Sequence, residues 1–153
     1  MKSWLNRFAP VCGRWRIGIV EAGSKHGYAR PLGTTYYWGG NGTVARLAVI
    51  LHAADRVSPN PDYRRTILNA VSYLFGRNPF GRSFVTGLGD QPPMHPHDRR
   101  SADNNDFPWP GYLVGGPNSK ATDWRDERGD YRSNEIAINW NGALIYALAV
   151  LLE

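Results

Sequence analysis

Two blocks in the later part of the chain hold residue types that do chemistry. One runs from Ser83-Phe84-Val85-Thr86-Gly87 to Met94-His95-Pro96-His97-Asp98-Arg99. The other carries Trp124, Asp126, Tyr131, Asn134, Glu135, Ala137 and Asn141. Together they set a histidine, an arginine and two carboxylates in and around loops next to a helix start, a combination suited to acid–base chemistry on a sugar. Glu135 falls in the first turn of an expected final helix, where the helix dipole favours its charged form. A general acid must instead be protonated near neutral pH. Burial among aromatics, or the like charge of Asp126, would move Glu135 in that direction. The plain alternative is an acidic residue that complements the dipole. Asp126 lies in a run of alternating charge, Asp123-Trp124-Arg125-Asp126-Glu127-Arg128-Gly129-Asp130, which taken alone reads as a solvated loop.

Other chemistries find less support. His95 and His97 with Asp98 have the types for zinc, but His26 and His52 are far away in sequence and no further imidazole follows. Asp103, Asn104, Asn105 and Asp106 offer calcium-type oxygens without the glycine-spaced loop such sites use, so no cofactor is expected. There is no phosphate-binding glycine loop and no Gly-x-Ser-x-Gly elbow. Cys12 is the one cysteine, which excludes an intrachain disulfide, and nothing around it marks a nucleophile.

These groups need elements to hold them. Val44, Leu47, Ala48 and Leu51 recur at helical spacing and predict a helix over Thr43 to Arg56. A second helix starts at Pro61-Asp62, presents Ile67, Ala70, Val71 and Leu74 on one face, and stops at Gly76. The short link between the two predicts antiparallel neighbours. A third helix, Glu135 to Leu152, has a wide apolar face and Asn134 or Ser133 as its cap. Tyr36 to Gly42 reads as an aromatic–glycine loop, and residues 1–35 show no clear period. Residues 77–133 are nearly aperiodic apart from a short strand expected at Phe84 to Thr86. So long an irregular stretch in a compact domain points to function.

With 153 residues, 42% hydrophobic and 20% charged, the composition is that of one globular domain with a modest core. The net charge of +5 belongs to residues 1–30, which hold six basic residues and one acidic one; the rest has twelve of each. A basic terminus of this kind has a nucleic-acid reading, but a solvated or foreign segment explains it more simply, and no nucleic-acid partner is expected. No apolar run reaches a membrane span. Phe8 to Gly13 is too short for a signal-peptide core, so no export signal is expected in the chain as given.

Taken as motifs, the same residues resemble glycoside hydrolase family 9, the inverting cellulases and related exo-acting β-glycosidases. Gly76 to Gly87 looks like the segment leading into that family's histidine signature, and His95-Pro96-His97-Asp98-Arg99 matches its Pro-His-x-Arg core. Leu113-Val114-Gly115-Gly116-Pro117-Asn118 matches another block. The final signature fits as Trp124-x-Asp126, Tyr131, Glu135-x-Ala137 and Asn141. The departures are Asp98 and Arg100, where many relatives have His and Pro, and Gly142, where Ser, Thr or Ala is preferred.

The resemblance implies an all-α fold, part of an (α/α)6 barrel with long active-site loops, over residues 36–153, with residues 1–35 atypical. It implies hydrolysis of β-1,4-glucosidic bonds in cellulose or cello-oligosaccharides with inversion. Glu135 would be the general acid and Asp126 the carboxylate supporting it. His97 and Arg99 would bond sugar near the cleavage point, and Tyr131 and Trp38 would line the cleft. Inversion needs a second carboxylate roughly 6.5–9.5 Å from the acid. The family's Asp-rich motif that supplies it does not occur here; Ala53-Ala54-Asp55 is the nearest imitation. The expectation is therefore a fragment whose partner is the missing N-terminal part of the same domain. The competing reading is a non-catalytic remnant that binds glucan through Trp38, Trp109, Trp124 and Tyr131.

Overall fold

The computed structural model describes residues 16–100 and 108–152. Cys12, half of the basic terminus and the Asp103–Asp106 stretch lie outside the described residues. Among the described residues, four longer helices carry the fold: α1 (residues 16–24), α2 (Gly40–Val57), α3 (Pro61–Leu74) and, after a long irregular stretch, α5 (Ile138–Leu152). A single turn, α4 (Tyr131–Asn134), precedes α5. No strand forms among the described residues. The expected strand at Phe84 to Thr86 is reduced to one bridge, Val85 to Leu113, with further bridges His97 to Glu135 and Val114 to Ile136.

Local chemistry explains the boundaries of α3. Asn60 accepts the Asp62 amide hydrogen at 2.9 Å, Pro61 occupies the first turn, and Asp62 pairs with Arg65 at 2.7 Å. α2 begins three residues earlier than its apolar period predicts, so Gly40 to Gly42 belong to a helix rather than a loop. The Trp140 ring fills the space where a side chain on Gly42 would stand, so a bare backbone is what lets α5 approach.

Two clusters form one core. Val44 and Ala45 of α2 meet Ala70, Tyr73 and Leu74 of α3 together with Phe84, Leu113, Val114, Trp140 and Leu144. Leu51 and Ala54 meet Tyr63 and Ile67 beside Ile19 and Ala147. The start of α2 thus packs on the end of α3 and the reverse, which is the antiparallel hairpin expected. Phe75 and Leu148 touch both clusters and join them. Ile19 comes from α1, so the segment read as aperiodic contributes a helix to the core. A glycine hid the period: Gly23 is buried on the same helix as Ile19, where an apolar residue would have marked the face. No helix is long and apolar enough to cross a membrane among the described residues.

Candidate active site

Glu135 does not stand in the first turn of the last helix. It ends the four-residue turn α4 with extended backbone, φ −69° and ψ 153°, and α5 starts three residues later. The backbone around it is claimed by other segments. The Asn134 carbonyl accepts from the His97 amide at 2.8 Å, and the Glu135 carbonyl from the Gly115 amide at 2.9 Å. Those carbonyls would have bonded along the axis of a continuous helix. Ala137, not Asn134 or Ser133, opens α5 by accepting from Trp140 and Asn141. The dipole argument for Glu135 therefore lapses.

The Asn134 side chain could not cap a helix because it is fully committed elsewhere. Its Nδ2 donates to the His95 carbonyl at 2.6 Å and to Asp126 Oδ1 at 3.1 Å, and its Oδ1 accepts from Trp124 Nε1 at 3.1 Å. Asp126 is equally engaged and is no solvated loop residue. Oδ2 accepts from the Met94 amide at 2.8 Å and Arg82 Nη2 at 3.3 Å; Oδ1 accepts from the His95 amide at 2.9 Å. A carboxylate holding four donors is a clamp on the 94–97 segment. Arg82 completes it, with its guanidinium 5.1 Å from the Trp124 ring and bonds to the Gln91 and Pro92 carbonyls.

The clamp delivers His97. A parallel bridge sets His97 beside Glu135, and the ring lies 6.2 Å from that of Tyr131. Its Nδ1 is 2.7 Å from the Arg128 carbonyl. A carbonyl only accepts, so Nδ1 carries the hydrogen and Nε2 is the nitrogen left for other work. Trp38 arrives from 97 residues away and donates its Nε1 hydrogen to Glu135 Oε2 at 2.9 Å. Its indole sits edge-on against Trp140 at 5.4 Å. Trp38, Tyr131, His97 and Arg99 are all exposed, and Glu135 is partly so.

The structure thus gathers Glu135, His97, Trp38 and Tyr131, with Asp126 underneath as their support; Arg99 stands two residues beyond His97 on the exposed side. Trp124 is removed from the list of sugar-facing aromatics, because it is buried against Phe80 and Phe84 at 5.2 and 5.1 Å. Asp55, in the last turn of α2, accepts the Asn60 amide at 2.7 Å and ties the link to α3. Of the basic residues near the start of the chain, Arg30 is fully buried and Lys25 pairs with Glu21 at 3.8 Å. No three His, Cys, Asp or Glu come together for a metal among the described residues. Sequence reading missed Asn134 as a hub and Arg82 as a clamp. Their one signal was position, directly before Glu135 and directly before Ser83.

The model of glycosyl hydrolase family 9 matches residues 2–148 in a single span. Endoglucanase D of Acetivibrio thermocellus is 61% identical over 132 residues, covering 86% of this chain and 21% of that protein. A metagenome-derived family 9 endoglucanase superposes with a TM-score of 0.92 at 28% identity, over 99% of this chain and 30% of that one. AaCel9A, solved in complex with cellobiose-like isofagomine, gives 0.90 at 28% identity, over 99% and 32%. The chain therefore spans about a fifth of the length of that curated relative. Its helices and loops correspond to part of the (α/α)6 barrel of these enzymes. The chain belongs to glycosyl hydrolase family 9.

Proposed function

We propose that this chain carries the acid side of an inverting β-1,4-glucan hydrolase, with Glu135 as the general acid. The observation that carries the reading is the setting of Glu135: Oε2 is fixed by the Trp38 indole while Oε1 has no hydrogen-bond partner among the described residues. Protonated Glu135 gives its proton to the leaving glycosidic oxygen as the C–O bond breaks. Water attacks the anomeric carbon from the other face and loses its proton to a second carboxylate. Asp126 is unsuited to that second role, since both oxygens are engaged. The base then comes from residues outside this span, and the rest of the family's domain is the partner the site needs. His97 Nε2 and Arg99 bond sugar hydroxyls; Trp38 and Tyr131 offer apolar faces to the rings. Substrates of the β-1,4-glucan class, polymer or oligosaccharide, are supported by the relative named an endoglucanase and the neighbour holding a cellobiose-like inhibitor.

The test is Glu135→Gln in a protein that includes the rest of the domain. Turnover on glucan is expected to fall on the order of 10²–10⁴-fold. The loss should be much smaller on an aryl glycoside whose leaving group needs no proton. Equal losses on both substrates would remove Glu135 from the acid role. A second reading has one observation behind it, the full engagement of Asp126: this chain by itself binds glucan without cleaving it. Saccharide binding with no bond cleavage would favour it.

A further inference from the structure

Arg30 is fully buried, and no carboxylate among the described residues pairs with it. Burying a guanidinium without a counter-charge is costly. What the group does there is bind backbone: Nη1 donates to the carbonyls of Gly33 at 2.9 Å and Thr35 at 2.7 Å. Its plane lies 4.3 Å from the Tyr36 ring and 5.5 Å from the Tyr73 ring, so two aromatic faces replace the missing anion. Among the described residues, its Nε and the Tyr73 hydroxyl both lack a hydrogen-bond partner. A side chain on Gly40 would come within 3.3 Å of Nη2, so the guanidinium is wedged against the first residue of α2. The segment from Gly33 to Gly39 is therefore held at its near end by Arg30 and at its far end by α2. Trp38 stands between the two anchors.

We infer that Arg30 is a positioning residue: by fixing the Gly33 and Thr35 carbonyls and the Tyr36 ring beneath α2, it sets the Trp38 indole on Glu135. Arginine is required because one planar group must bond two carbonyls and stack on a ring at once, which a lysine ammonium cannot do. This rests on the reading of Glu135 as the acid for its functional meaning, but the geometry is testable without any turnover.

The experiment uses the full chain labelled with ¹⁵N and reads the indole N–H signals. Trp38→Phe assigns the Trp38 signal, and Glu135→Gln marks where that signal moves when its carboxylate acceptor is replaced. Arg30→Lys and Arg30→Met are each expected to shift the Trp38 signal away from its wild-type position. The Trp124 signal, whose donor is held by buried Asn134, should stay in place and report an intact fold. A Trp38 signal unmoved in both variants overturns the inference. Loss of the Trp124 signal in both overturns it too, making Arg30 a residue of core stability alone. Failure of the glycosidase reading is seen separately, as retained turnover in Glu135→Gln.

Discussion

At the scale of single residues, the site is a set of polar groups that have each been given one task. Asn134 shows this most clearly. Replacing it with Ala leaves the Trp124 indole hydrogen and the His95 carbonyl without partners and takes one donor from Asp126. A buried group losing its partner costs about 1–3 kcal/mol. Asn134→Ala is therefore expected to lower unfolding free energy by about 2–3 kcal/mol in denaturant titration. Faster amide exchange at His95 and His97 should accompany it; unchanged exchange there would separate Asn134 from the clamp. His26 gives a pH prediction. Its Nδ1 accepts from the Tyr28 and Arg30 amides at 3.3 and 3.4 Å, so Nε2 carries the hydrogen toward the Tyr36 hydroxyl at 3.2 Å. Burial, then the Arg30 charge, draws the imidazole below its ordinary 6.5. A depressed folded-state value means the contribution is complete above 6.5 and is lost as pH falls through the folded-state value. Titration of the His26 ring by NMR should give a midpoint below 6.5, and His26→Gln should flatten that part of the stability profile.

At the scale of elements, the helices obey local rules and the turns between them obey tertiary ones. The cap, proline and acidic first turn of α3 were all readable in Asn60-Pro61-Asp62. α5 was readable as an apolar helix, but its start was not, because the groups that stop it at Ala137 lie in the 94–97 and 113–115 segments. Within α5, Gly142 is exposed, and a methyl group there would meet nothing within 4 Å. Glycine inside a helix costs roughly 0.5–1 kcal/mol against alanine. Gly142→Ala is expected to raise stability by about that amount, read as a shift in the denaturation midpoint with unchanged slope. A destabilised variant would mean that this position serves a close approach the helix has not yet made in this span.

At the scale of the whole molecule, one face of the core is closed and one is open. α5 bears no charged residue, buries Trp140, Leu144 and Ala147, and turns Ile138 and Leu152 outward at 90% and 89% exposure with Ile145 between them. An apolar stripe of this kind promotes association in water. Ile145→Lys is expected to raise solubility while leaving stability within about 0.5 kcal/mol, as surface substitutions do. A large loss of stability would show that Ile145 is buried in solution. The sequence by itself determined which residues carry chemistry, which family their spacing matches, and where amphipathic helices run. Those facts depend on residue type and short-range period. It could not determine that Glu135 has extended backbone, that Asp126 is a clamp, or that buried Arg30 binds the Gly33 and Thr35 carbonyls. Each of these follows from competition for a limited set of donors and acceptors among segments up to 97 residues apart. Such competition has no local period, so only the tertiary structure decides it.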